Sequence, residues 1–172
     1  MSAELAGTWL TVRSRFHADL TDRLGAPRQV WTHWDLTDPD AIGVEVWWPS
    51  KPASRLPEAM WCSFVPMVAE PRRWTVDKLG QAVSPLDVVR HGGRSLHAVG
   101  EGMTYEGPDG DLRIGTLDAP LVAPGAPGLL DADPPLPDLA GGFHVLLLDN
   151  CWGTNFPMWI EGPARFRFGL RL

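Results

Sequence analysis

Trp31, His33 and Asp35 stand at alternate positions of one run, and Glu45 and Trp47 at alternate positions of the next. In paired strands such residues share a face. Indole rings beside an imidazole and two carboxylates are the groups a sugar site uses: the rings stack on pyranose faces and the polar groups take the hydroxyls. A sugar-binding or sugar-isomerising site would draw on this face together with His97. The competing reading is that the face packs on another layer or domain, because large Trp surfaces are seldom left bare on a monomer.

Other chemistries find less. His17-Ala18-Asp19 has a spacing known from metal sites, but two ligands do not hold zinc, and the pair falls in a helical stretch where i and i+2 diverge. No metal ligand set and no catalytic residue is predicted. A glycosidase needs two carboxyl groups about 5 Å apart, or somewhat more in inverting enzymes. Glu45, Glu58, Asp118 and Asp149 lie nearest the apolar segments, and nothing in the sequence pairs them. Glu58 is expected to meet a neighbouring cation or cap a turn, Asp118 to form a turn, and Asp149 to end a strand. Gly100-Glu101-Gly102 and Gly141-Gly142 open no helix and read as turns, not phosphate loops. Cys62 and Cys151 sit in apolar runs without a ligand spacing and read as buried thiols of a reducing cytoplasm.

The elements that must position these residues are strands. The stretch 8–16 alternates roughly, and Phe16, Leu20 and Leu24 mark one face of a short helix stopped by Gly25 and Pro27. From Val30 the period becomes two. Val30, Thr32, Trp34 and Leu36 share the core face, a turn follows at Thr37–Asp40, and Ile42, Val44, Val46 and Trp48 continue that face: a hairpin. Further short strands are expected at 60–68, 72–77, 86–89, 95–99, 103–105, 112–116 and 143–148. The tail strand turns Phe166, Phe168, Leu170 and Leu172 inward and Arg165, Arg167 and Arg171 outward. Residues 120–142 are Pro- and Gly-rich and read as a loop or meandering edge. The prediction is an all-β fold, a β-sandwich with one or two short helices, in one domain spanning 1–172, with residues 1–27 as a strand/helix arm.

Composition sets the bounds. The chain has 172 residues and 44% hydrophobic side chains, enough for a sizeable core. Its formal net charge is −6, and its 15 Lys and Arg are scattered, which excludes a nucleic-acid footprint and disfavours an anionic membrane. No run approaches the ~20 apolar residues of a membrane span. The start, Met1-Ser2-Ala3-Glu4-Leu5-Ala6, lacks the pattern of a signal peptide, so the expected location is cytoplasmic. Nine Trp against one Tyr suit both sheet cores and sugar stacking.

Longer phrases carry a resemblance. The run from Trp48-Pro49-Ser50-Lys51-Pro52 through Glu58-Ala59-Met60-Trp61-Cys62-Ser63-Phe64 resembles a stretch of large α-mannosidase-like enzymes. So do Trp74-Thr75-Val76-Asp77-Lys78-Leu79-Gly80, Arg94-Ser95-Leu96-His97-Ala98-Val99-Gly100 and Leu117-Asp118-Ala119-Pro120-Leu121-Val122. Asn150-Cys151-Trp152-Gly153-Thr154-Asn155-Phe156-Pro157-Met158-Trp159, with Arg165-Phe166-Arg167-Phe168, is similar to the C-terminus of those proteins, a group similar to glycoside hydrolase family 38. The resemblance covers roughly residues 25–172. It implies a C-terminal β-sandwich of the mannosidase or supersandwich kind, packing on a catalytic domain. In such enzymes zinc and the catalytic carboxylates belong to an N-terminal domain that has no counterpart here, so no cofactor and no catalytic residue carries over. The implied partner is that catalytic domain, in cis or from a neighbouring gene, with carbohydrate as a further ligand.

Pro157 cannot donate to a ladder, so the tail segment is expected to leave the sheet after Asn150 and return before Arg165. Trp152, Phe156 and Trp159 then form a docking turn, with Trp152 closing the core and Trp159 facing a partner. A large exposed apolar face favours the docking module, and a concave cleft holding Trp, His and a carboxylate favours the free-standing sugar binder.

Overall fold

In the computed structural model the described residues are 1–89, 91–129, 135–151 and 159–172. The chain is all-β: its strands form two antiparallel sheets, with one α-helix and two single 3₁₀ turns among the described residues. It divides into two compact units, Met1–Ala59 with Leu148–Gly169, and Met60–Leu147 with Leu170–Leu172.

The first unit is built on β1 (Ser2–Ala6), β2 (Trp9–Arg15), β3 (Gln29–Asp38), β4 (Ala41–Trp48) and most of β13 (Ala164–Arg171), hydrogen-bonded in that order. The expected hairpin forms, with Trp31 opposite Trp47 and His33 opposite Glu45. Its turn is held by short polar side chains: Asp35 Oδ1 accepts from the Thr37 N–H at 3.0 Å and Asp38 Oδ1 from the Asp40 N–H at 2.9 Å. Alternation puts Val44, Val46 and Trp48 on the buried face, where Trp48 meets Phe166 at 5.6 Å between ring centroids. Helix α1 (Ala18–Leu24) joins β2 to β3. It ends at Gly25, whose φ of 78° favours glycine, and a Cβ there would lie 2.5 Å from the Ser54 Cβ.

The second unit is the sandwich. One layer has the order β10 (Gly110–Thr116), β9 (Gly102–Gly107), β6 (Thr75–Lys78), β7 (Gln81–Val83). The other has β5 (Ala59–Phe64), β12 (Phe143–Asp149), β11 (Leu121–Pro124), β8 (His97–Ala98). The two inner faces meet through Trp74, which lies 5.5 Å from Tyr105 and 5.1 Å from Phe143 between ring centroids. Val76, Met103, Ile114, Val122 and Val145 complete a core in which every one of these side chains is at most 2% exposed. The Tyr105 hydroxyl donates to Asp109 at 2.5 Å and accepts from the Glu70 N–H at 3.2 Å, so the lone tyrosine closes a loop with its polar tip.

Several sequence expectations change. Residues 1–27 hold the strands β1 and β2 and the helix α1, and β2 pairs with β3 along its whole length while β1 pairs with β2. The stretch 86–89 is irregular, and the strand lies earlier, at Gln81–Val83. The Pro-rich 120–142 segment begins with β11, which sits between β8 and β12 with Val122 and Ala123 fully buried. Its apolar run is short and Pro120 and Pro124 flank it, so composition hid a central strand. Strand β12 ends at Asp149 and β13 starts at Ala164.

Candidate functional site

The first unit's sheet turns Trp31, His33, Asp35, Glu45 and Trp47 to one face, opposite the face of Val44, Val46 and Trp48. The register adds Trp9, Thr11 and Arg13 from β2, which pair with Asp35, His33 and Trp31. Cross-strand rows therefore run Trp9–Asp35–Gly43, Thr11–His33–Glu45 and Arg13–Trp31–Trp47.

In the last row the rings are used on each other. Trp31 and Trp47 stack at 4.4 Å with planes 10° apart, and the Arg13 guanidinium lies 5.6 Å from the Trp31 ring centre. The His33 ring is parallel to Trp47 at 6.2 Å, and His33 Nδ1 is bonded to Thr11 Oγ1 at 2.9 Å. Arg165 bonds Glu45. The Trp faces that a sugar would need at this end are already covered by neighbouring strands. A surface recess of about 620 Å³ lies beside Trp47, lined by Glu45, Pro49, Pro163 and Arg165.

His97 is not part of this face. It lies on β8 of the second unit, 6% exposed, with Nε2 buried and without a hydrogen-bond partner among the described residues. Burial, then the nearby Lys78 charge, lowers its pKa, so it is a neutral core imidazole at pH 7. His144 on β12 is similar: burial lowers its pKa, and Nδ1 bonds Ser63 Oγ at 2.7 Å.

The densest polar cluster was not legible as a site. Lys51 is 2% exposed, and its ammonium donates to Glu58 Oε1 at 2.6 Å, the Pro52 carbonyl at 3.1 Å and the Ile160 carbonyl at 3.2 Å. Asn150 completes the node. Its Oδ1 accepts from the Glu58 N–H at 2.5 Å, and Nδ2 donates to Glu58 Oε1 at 3.1 Å and the Ser54 carbonyl at 3.3 Å. Backbone bonds of 2.9 Å run both ways between Lys51 and Gly162. The expected cation beside Glu58 is thus Lys51. With all three of its N–H groups engaged, the ammonium is a cross-link and not an acid or base waiting for substrate.

The remaining candidates resolve simply. His17 caps α1, its Nδ1 accepting from the Asp19 N–H at 3.4 Å, and no group of three or more His, Cys, Asp or Glu able to hold a metal occurs among the described residues. Cys62 is a partly buried thiol whose pKa burial pushes up to about 11. Cys151 is exposed, where a buried residue was expected; its chain has just left the strand, and Asp149 Oδ1 accepts its N–H. Trp159 is 41% exposed, with the Arg55 guanidinium 5.0 Å from its ring centre. Trp152 and Phe156 lie outside the described residues. Among the described residues no helix is long and apolar enough to cross a membrane. No family model matches the chain, and no curated protein or solved structure matches it.

Proposed function

We propose that this chain is a non-catalytic β-module of a glycoside hydrolase family 38-like, α-mannosidase-like enzyme and docks on a catalytic domain supplied by a partner. One observation carries the reading: the first unit leaves apolar side chains uncovered along the inner face of its outer strands. Leu5 is 65% exposed and Leu36 40%, on the face that also holds Leu10, Val12 and Trp34. Phe16, Leu20 and Leu24, the apolar side of the helical connection, are 39%, 40% and 48% exposed. An apolar face of that kind is what an absent protein layer covers. The candidate carboxylates support the reading by being occupied: Glu58 with Lys51, and Glu45 with Arg165.

The test pairs the purified chain with the catalytic domain of an α-mannosidase-like enzyme, or with the product of a neighbouring gene encoding one. A complex that forms on gel filtration and is lost in Leu5→Glu and Leu20→Glu supports docking. Turnover of aryl mannosides by the chain alone, surviving rigorous purification, sinks it.

A further inference from the structure

The second unit has a recess of about 620 Å³ where its two 3₁₀ turns, Pro71–Arg73 and Leu139–Gly141, pack against each other. Its walls are aliphatic: Pro71, Leu86, Leu136, Pro137 and Leu139. Hydrogen bonds hold the walls in place. The Glu70 N–H, at the start of the first turn, donates to the Tyr105 hydroxyl at 3.2 Å. The Leu86 N–H donates to Ser84 Oγ at 3.2 Å, beside the fully buried Pro85. Asp138 Oδ1 accepts the Ala140 N–H at 3.1 Å and caps the second turn, where Leu139 is buried. Leu136, by contrast, is 55% exposed. The charged lining residues differ in what they have left to offer. Glu70 is paired with Arg73, since side chains three apart eclipse on a 3₁₀ turn. Arg72 stands on another side of that turn, and among the described residues its guanidinium has no partner.

We infer that this recess binds a small aliphatic monocarboxylate, with its alkyl chain against the leucines and prolines and its carboxylate on the Arg72 guanidinium. The volume is within the range of about 300–1,000 Å³ usual for small-molecule sites. A planar guanidinium offers two parallel N–H groups to the two oxygens of a carboxylate. An alkyl chain gains by covering Leu86 and Leu136, which water reaches in the free chain. No aromatic ring, hydroxyl or amide side chain occurs among the described lining residues, which disfavours a saccharide or a planar base. One negative charge is the limit, because a second would meet the carboxylates of Glu70 and Asp138. The site lies wholly in the second unit, so it does not depend on the docking reading, which rests on the first.

The full chain is titrated with octanoate, 1-octanol and acetate, followed by calorimetry and by leucine-methyl NMR. The expected result is that octanoate binds saturably, at millimolar affinity or tighter, and shifts the Leu86 and Leu136 methyls. Acetate, which lacks the chain, leaves them in place. Arg72→Gln weakens octanoate binding about tenfold, the scale of a charge-assisted hydrogen bond, and leaves the weaker binding of octanol unchanged. Leu136→Asp abolishes octanoate binding while the circular dichroism spectrum stays native, because that side chain is already exposed. The inference is overturned if octanoate does not move these methyls, if octanol binds there as tightly as octanoate, or if Arg72→Gln binds octanoate like the parent.

Discussion

Trp74 and Trp31 show two uses of one residue type. In the second unit Trp74 is fully buried between a tyrosine and a phenylalanine and joins the two layers of a sandwich. In the first unit Trp31 is only partly buried, and its ring is covered by a stacked Trp and an arginine. The second unit spends its aromatic residues on its own stability. The first leaves Trp9 51% exposed and Trp31 and Trp47 partly exposed.

The largest effect separates these two uses. Trp74→Ala should cost about 3–5 kcal/mol, since it empties the centre of a closed core. Trp31→Ala should cost roughly 1 kcal/mol, as for a typical half-exposed site. Urea unfolding followed by near-UV circular dichroism measures both. Equal losses would show that the first unit's face is as much a core as the sandwich.

Within the first unit, Lys51→Met should cost about 3–5 kcal/mol, because the mostly covered Glu58 side chain then loses the cation it is bonded to. The double variant Lys51→Met with Glu58→Leu should recover much of that loss, because burying an ion pair gains little over apolar packing. If the double variant is worse than Lys51→Met alone, the backbone bonds around Asn150, and not the charge pair, are what the node contributes.

The second unit should answer to pH through its two buried histidines. Both have pKa values lowered in the folded state, by burial first and, for His97, by Lys78 next. Their ordinary value is 6.5. Unfolding frees them to take protons, so the contribution is fully present above about pH 6.5 and is lost as pH falls from there to the folded pKa. The Tm should drop between pH 7 and 5.5, and His97→Leu should flatten that slope. An unchanged slope would assign the acid sensitivity to other groups.

What was legible in the sequence follows these physical differences. Period-two patterning announced the β3–β4 hairpin and its two faces, because one side is buried and the other wet. The sandwich class was legible from the short runs between Gly and Asp turns. The central strand β11 was not, because a short, mostly buried run flanked by prolines has no alternation to read. The Lys51–Glu58–Asn150 node was legible only in part: a cation beside Glu58 was expected, but Asn150 comes from a distant part of the chain and the other acceptors are backbone carbonyls. Trp9, Thr11 and Arg13 carried a signal, since 8–16 alternates, but only the register with β3 shows which face they join.

The smallest effect is also the sharpest test of the stacked row. Arg13 is exposed, so its contact with the Trp31 ring should stabilise by about 0.5–1 kcal/mol, the range for a cation–π pair open to solvent. A single Arg13→Ala change cannot isolate that, because it also removes the aliphatic stem that covers the indole. A double-mutant cycle of Arg13→Ala and Trp31→Leu can, since the coupling left after both single costs are subtracted belongs to the pair. Arg13→Lys separates charge from shape, because a lysine keeps the charge but loses the planar group that lies flat on a ring. The exciton signal of the Trp31–Trp47 stack in far-UV circular dichroism gives a second reading. If Arg13 presses Trp31 onto Trp47, the signal weakens in Arg13→Ala and partly returns in Arg13→Lys. If the coupling is zero and the signal is unchanged, Trp31 and Trp47 stack unaided and Arg13 only covers the outer side of the Trp31 ring.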